Sequence, residues 1–262
     1  MTNNIVILLT ACVNPNGMAN TALQDASIRK RQYIEAIDFY LRETDCNIVF
    51  CENTDTYIFD EITSPEKYGR VEYLTFKGND YDKSRGKSYG ESQIMKYAIR
   101  NSTLINTVDF VCKITGRVKI RNINDILHKY DWSLLTNNHV MVNFSWNHYA
   151  NSVCFVAPHK WLFQTLKNYD RWLDDKEQRV MEVILYNSII NTQDIKILDC
   201  FPDIDGIRGT SNDLYKKTKN IKLNHNAVLC AIYKARGDIL MYIYKKIRWL
   251  FYVICYKLKK YG

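Results

Sequence analysis

Glycine and proline are scarce, at 10 and 4 of 262 residues. That scarcity excludes a loop-dominated or collagen-like chain, and no internal period or low-complexity segment marks a repeat protein. No Cys-x-x-Cys pair occurs, and histidines 128, 139, 148, 159 and 225 form no His-x-x-x-His spacing, so no zinc motif can be read from the chain. The eight cysteines, at 12, 46, 51, 112, 154, 200, 230 and 255, are scattered. Several lie in apolar runs, such as Phe50-Cys51 and Val111-Cys112, and read as buried reduced thiols. Long uncharged runs are missing too. In the C-terminal tail the longest, Trp249 to Tyr256, falls far short of the ~20 residues needed to span a bilayer.

The hydrophobic content of 47% is enough for a real core. The apolar run Ile5 to Val13 contains Leu9-Thr10-Ala11-Cys12, which has the look of a lipoprotein cleavage box. Met1 to Asn4 carries no Lys or Arg and the run is short for a signal peptide, so it is expected to be a buried first strand. The net charge of +8 is concentrated at the end of the chain. From residue 234 onward eight Lys and Arg stand against Asp238 alone, so the body is near neutral.

Apolar runs at 4–12, 47–51, 71–76 and 110–114 read as strands, and further strands are expected at 140–144, 153–156 and 196–200. Helical spacing is expected from Asp25, as N-cap, to about residue 43 through Ile28, Tyr33, Ile37, Tyr40 and Leu41. Further helices are expected over 91–101, 161–173 and 176–190, with a loop at 203–212. Alternating strands and helices predict one α/β domain with a mostly parallel central sheet. Residues 1–232 would form this domain, with 1–125 as a donor half and 126–232 as an acceptor half. The remainder, 233–262, would be a basic amphipathic helix. In it Leu240, Ile243, Ile247, Leu250, Phe251, Ile254 and Leu258 follow helical spacing among lysines, and Trp249, Tyr252 and Tyr256 favour a membrane interface. Residues 238–262 are thus expected to lie on an anionic membrane surface; the plainer expectation is a helix packed on the body or on a partner.

Ligands of open α/β sheets bind beyond the carboxyl ends of the strands. Thr10, Cys12 and Asn14 follow the first strand, and Glu52 and Asn53 the second. Amide or carboxylate groups there can meet a ribose or a base edge, or can merely stabilise a turn. Ser84-Arg85-Gly86-Lys87-Ser88-Tyr89-Gly90-Glu91 precedes a helix, with two glycines and two cations suited to a phosphate. It is not a Walker loop, because Tyr81 stands where the upstream glycine belongs. Lys113-Ile114-Thr115-Gly116-Arg117 ends the fourth strand, and its alternation places Lys113, Thr115 and Arg117 on one side, a candidate diphosphate clamp. Trp146 and His148 stand near a strand end, where they could stack on a sugar ring or simply pack.

Taken together, Asn14-Pro15-Asn16-Gly17-Met18, Thr21 to Asp25, Arg29, Gln32-Tyr33, Phe50 to Asn53, Gly86 to Glu91 and Lys113 to Arg117 resemble bacterial capsule and O-antigen (lipopolysaccharide) glycosyltransferases of GT-A-like fold, over roughly residues 4–215. The resemblance implies a hexosyltransferase type of enzyme moving a sugar from a nucleotide-sugar donor to a lipid-linked or oligosaccharide glycan acceptor, peripheral on the cytoplasmic face of the cell membrane. Together with the strand-end and loop positions read above, the expected donor site is Thr10, Asn14, Glu52, Asn53, Arg85, Gly86, Lys87, Tyr89, Gly90, Glu91, Lys113, Thr115, Arg117 and Arg208, the last in an expected closing loop Arg208-Gly209-Thr210-Ser211. By the same resemblance Glu182, among the apolar Val180, Met181, Val183 and Ile184, is the expected catalytic base, with Asp174, Asp175 and Glu177 as rivals or helix caps. The family's Asp-x-Asp metal motif is replaced by Lys113 to Arg117, so no cofactor is expected and the enzyme would be metal-independent, with Lys113 and Arg117 neutralising the leaving diphosphate; Asp203-Ile204-Asp205, the alternative metal site, reads mainly as a turn. Two other classes compete. A nucleic-acid-binding module would use the basic tail and the 13% aromatic content but leaves the neutral body unexplained, so no nucleic-acid partner is expected. A non-catalytic scaffold of a membrane glycan-assembly complex would bind no donor at all.

Overall fold

A computed structural model describes residues 4–145, 149–192, 194–211 and 213–215. The expected amphipathic tail and membrane contact at 233–262, with Trp146 and His148, lie outside the described residues.

The strands are β1 (Ile5–Ala11), β2 (Ile48–Glu52), β3 (Val71–Thr75), β4 (Phe110–Thr115), β5 (Lys119–Ile120), β6 (His139–Val142), β7 (Phe144–Ser145), β8 (Tyr149–Ala150), β9 (Cys154–Pro158), β10 (Lys196–Asp199) and β11 (Ile204–Asp205). The helices are α1 (Ala26–Glu43), α2 (Lys67–Arg70), α3 (Lys87–Asn101), α4 (Ile123–Leu127), α5 (His159–Tyr169) and α6 (Met181–Asn191). Seven strands form one sheet in the order β10-β6-β9-β4-β1-β2-β3. Within it β9 alone runs against its neighbours, pairing antiparallel with β4 and β6. The expected α/β domain with a mostly parallel sheet is therefore the observed one, and strands from both expected halves join the same sheet.

β1 is buried along its whole length because both sheet faces are covered, as its unbroken apolar sequence requires. Its side chains alternate between two cores. Ile5, Ile7 and Leu9 join Tyr33, Ile37 and Tyr40 of α1 on one face, while Val6 and Leu8 meet Ile94, Met95 and Ala98 of α3 on the other. β4 has the same phase, with Phe110, Cys112 and Ile114 toward α1 and Val111 toward α3. Lys113 therefore points to the α3 side, where the pattern would place an apolar residue.

Several expectations shift. Ile28, expected in the α1 stripe, is 37% exposed, and Arg29 is buried instead. The strand expected over 140–144 breaks at Asn143, where the chain leaves the sheet for the β7–β8 ribbon. The helix expected from 176 begins only at Met181, and the helix expected over 161–173 ends at Tyr169. Residues 174–179 make a tight turn closed by reciprocal Asp174–Arg179 backbone bonds of 3.0 and 2.9 Å, with Gln178 at φ 56°. The expected loop at 203–212 contains β11, which pairs with β5. No described helix is long and apolar enough to cross a membrane.

Candidate functional site

Strand order reverses between β1 and β4: β2 and β3 lie on one side of β1, and β4 lies on the other. At such a switch point the loops leaving the two strands part and open a crevice. Here a cleft of about 700 Å³ is floored by Thr10, Ala11 and Cys12 at the end of β1 and by Thr115, Arg117 and Val118 at the end of β4. The floor is tight because Gly116 donates to Thr10 O at 3.0 Å, and a Cβ at that glycine would stand 2.9 Å from the same oxygen.

Two arginines enter this cleft almost wholly buried, Arg29 from α1 and Arg117 from the turn after β4. Arg29 is clamped by neutral acceptors: Nε donates to Cys12 O (2.7 Å), Nη1 to Leu23 O (3.2 Å) and Nη2 to Tyr33 Oη (3.1 Å). Arg117 Nη1 donates to Gln32 Oε1 at 3.1 Å. Neither guanidinium pairs with a carboxylate among the described residues. Burial, with the charge of Arg29 nearby, lowers the Arg117 pKa from its ordinary value. Two desolvated like charges without a counter-ion are a strong electrostatic demand for an anion. Backbone at Gly209 lies against Arg117, and Gly209 O accepts from Ala22 N at 2.9 Å, which folds the 207–211 segment along the same wall.

The same cleft is lined by Asn53, fully buried just after β2, with neither Oδ1 nor Nδ2 partnered among the described residues. A buried side-chain amide lacking both hydrogen bonds is costly unless a ligand supplies them. Cys12 also lines the cleft, but burial pushes its thiol up to about 11, so it stays protonated and is no nucleophile at neutral pH.

The structure brings Thr10, Asn53, Lys87, Gly90, Glu91, Thr115, Arg117, Arg208 and Glu182 into this one cleft. Other expected site residues lie elsewhere. Glu52 is spent on its own loop, where its carboxylate accepts from Val13 N (3.0 Å) and from Thr54 and Thr56 N (2.8 and 3.0 Å). Asn14 is an exposed turn residue whose Oδ1 accepts from Asn16 N at 3.2 Å. Arg85 turns back to Leu173 O (3.0 Å) and Asp170 O (2.8 Å) and stacks 3.6 Å over the Tyr89 ring, which ties up both side chains.

The expected phosphate loop is corrected in a specific way. α3 begins at Lys87, so Lys87, Tyr89, Gly90 and Glu91 are helical, and Gly86 (φ 77°) lies immediately before them. The helix N-terminus is already occupied by the chain's own anion: Asp175 Oδ2 accepts from Lys87 N at 3.0 Å and lies 3.4 Å from Ser88 N. Gly86 is needed for that approach, since a Cβ there would meet Asp175 Oδ2 at 2.5 Å.

Lys113 is likewise no open clamp. Fully buried beneath the cleft, its Nζ donates to Glu91 Oε1 (2.5 Å), Ser152 O (2.5 Å) and Thr115 Oγ1 (3.2 Å). Thr10 Oγ1 adds a bond to the same Glu91 oxygen at 3.2 Å. Across Ser152, whose Oγ donates to Glu182 Oε1 at 2.7 Å, this network reaches the first turn of α6. Asp203 and Asp205 are separated from the cleft by their bonding: Asp203 N donates to Asn122 Oδ1 at 2.8 Å, and Asp205 Oδ2 pairs with Arg121 at 2.5 Å. Among the described residues no cluster of three or more His, Cys, Asp or Glu is placed to hold a metal ion.

The roles of Arg29 and Asp175 were not evident before folding. Arg29 reads as one helix residue among several cations, and Asp175 caps a helix nearly ninety residues before it rather than the one that follows.

No protein-family model matches the chain, and no curated protein matches it. Among solved structures the chain is similar to a cytidylyltransferase from Leptospira borgpetersenii serovar Hardjo-bovis, at 14% identity, 94% of this chain, 95% of that one and a TM-score of 0.42. It is also similar to a protein from Bacillus anthracis assigned as a glucose-1-phosphate thymidylyltransferase, at 11% identity, 77% of this chain, 89% of that one and a TM-score of 0.45. A third is 4-diphosphocytidyl-2C-methyl-D-erythritol synthase, at 7% identity, 89% of this chain, 99% of that one and a TM-score of 0.43. These likenesses concern the fold. They correct one expectation: two of these structures carry nucleotidyltransferase names and the third that of a synthase, and none that of a capsule or O-antigen glycosyltransferase acting on a lipid-linked or oligosaccharide acceptor.

Proposed function

We propose that this chain is a transferase that binds a nucleoside phosphate, and that its reaction is nucleotidyl transfer giving a nucleotide-sugar. In that reaction a phosphate oxygen of a sugar phosphate attacks the α-phosphorus of a nucleoside triphosphate. The bond from that phosphorus to the bridging oxygen breaks, and pyrophosphate leaves with the electron pair. The observation that carries this reading is the pair of buried guanidiniums, Arg29 and Arg117, in one cleft with the amide of Asn53, the former without a carboxylate partner and the latter without any hydrogen-bond partner among the described residues.

In this reading Asn53 offers one acceptor and two donor hydrogens to a base edge or ribose. Arg29 and Arg117 receive the phosphates, and their charge offsets the charge that builds on the leaving pyrophosphate. Their fixed neutral partners mean that little reorganisation is needed when the anion arrives. Lys87 adds a third cation to the cleft wall.

The test is calorimetric titration with ATP, CTP, GTP, UTP and dTTP, followed by pyrophosphate release with a panel of hexose 1-phosphates. Selective binding of one nucleotide is expected, and Arg117→Ala should weaken it about tenfold or more, the scale of a lost charge-assisted hydrogen bond. Absence of binding by every nucleotide at millimolar concentration, or affinity indifferent to Arg117→Ala, would overturn the reading.

A further inference from the structure

We infer that the part of the cleft built by the 174–179 turn, the start of α6 and the chain at Asn151–Ser152 is a subsite for the hydroxyl groups of a sugar ring, with Asp175 and Glu182 as the acceptors. The inference rests on the nucleotide-sugar reading above and assigns the chemistry of its second half.

Asp175 is 2% exposed and lines the cleft. One carboxylate oxygen is committed to the N-terminus of α3, and the other, Oδ1, has no hydrogen-bond partner among the described residues. A buried carboxylate oxygen with empty lone pairs calls for donors. Glu182 lines the same cleft, with Oε1 held by Ser152 Oγ at 2.7 Å, which orients the carboxylate. Neither acid forms an ion pair among the described residues. Burial raises the Asp175 pKa, and the charge of Glu182 raises it further, against the opposing pull of Ser88 and Lys87.

These features select the ligand. Two carboxylates within electrostatic reach of each other repel a phosphate, so this region complements the cationic region of Arg29 and Arg117 instead of extending it. What they accept is a proton donor. Neighbouring hydroxyls of a sugar ring present several donors close together, and the amides of Asn143 and Asn151, which line the same cleft, can serve the remaining hydroxyls. A phosphate at the arginines and a polyol at the acids is the charge pattern of a nucleotide-sugar laid along the cleft.

The test compares UDP with UDP-glucose and dTDP with dTDP-glucose by calorimetry, on the wild type and on Asp175→Asn and Glu182→Gln. Each substitution keeps one oxygen for the existing α3 or Ser152 bond and turns the other acceptor into a donor. In the wild type the sugar is expected to tighten binding about tenfold over the bare nucleotide. Each variant should lose most of that increment while binding of the bare nucleotide stays within twofold, measured at a temperature where melting curves show each variant fully folded. A sugar increment that is absent, or that survives both substitutions, overturns the subsite and leaves the nucleotide reading standing. If no nucleotide binds, the functional reading fails. The subsite is then decided by saturation-transfer NMR with methyl α- and β-glucopyranoside: signal lost in both variants supports it, and no signal in the wild type overturns it. Manganese binding without nucleotide that Asp175→Asn abolishes would also overturn it, in favour of a cation site.

Discussion

Replacing Lys113 by methionine removes a buried ammonium while keeping most of its volume. The wild-type ammonium is fully buried and satisfies three acceptors, Glu91 Oε1, Ser152 O and Thr115 Oγ1. Its loss leaves the Glu91 carboxylate without a cation and the Ser152 carbonyl without that donor. Breaking a buried pair from one side costs about 3–5 kcal/mol. The Glu91 side chain keeps 19% of its exposure and the bond from Thr10, so the lower end, about 3 kcal/mol, is expected. For a chain of this size that is a fall in Tm of roughly 6–12 °C. Glu91→Gln should cost less, about 2 kcal/mol, because the amide oxygen can still accept from Lys113. The double variant holds no uncompensated charge. It should lose about 3 kcal/mol, not the sum of about 5, a coupling of about 2 kcal/mol. Urea unfolding of the four proteins, read by far-UV circular dichroism, measures the cycle. The Lys113→Met variant should also bind nucleotide within threefold of the wild type, because Lys113 lies beneath the cleft instead of lining it. Additive losses, a single-variant loss under about 1 kcal/mol, or a collapse of nucleotide affinity in a folded Lys113→Met protein would each refute this reasoning.

Gly86→Ala should cost about 2–4 kcal/mol, combining a backbone at φ 77°, ψ −171° that only glycine adopts readily with displacement of the Asp175 cap; thermal melts check it, and an unchanged Tm would contradict it. Glu72 supplies a pH test. Burial pushes its carboxyl up, but hydrogen bonds from Ser102, Leu104 and Thr103 outweigh this and hold its pKa below the usual value. Its stabilisation is therefore present above the unfolded-state value of about 4.3 and is lost as pH falls through the lower folded value. The stability gap between wild type and Glu72→Gln should be constant from pH 7 to about 5.5 and shrink steadily below about pH 4. A gap that widens with acid would refute the assignment.

Much of the fold was legible in the chain. Unbroken apolar runs such as Ile5 to Ala11 require burial on both faces, and a strand buried on both faces belongs in a parallel sheet between helices. Asp25 announced the start of α1, and its Oδ1 accepts from Ser27 and Ile28 N at 2.8 and 3.0 Å. Residues after β1, β2 and β4 were legible as cleft residues because strand ends at a switch point converge, and Thr10, Asn53, Thr115 and Arg117 do line it. Local spacing could not say which polar groups were already paired.

The glycine-rich stretch before α3 has the composition of an anion site. Whether that anion is a ligand or Asp175 depends on a contact nearly ninety residues away. Lys113 and Arg117 look alike as cations four residues apart. The strand phase sends Lys113 into Glu91, while the chain reversal after Thr115 places Arg117 beside Arg29 without a carboxylate partner among the described residues. Sequence by itself determined the sheet, its helices and the edge where a ligand would sit, because periodicity and turn chemistry are local. Only the tertiary structure decided which charges remain free to bind, because a charge is neutralised by whatever long-range packing brings within about 3 Å of it.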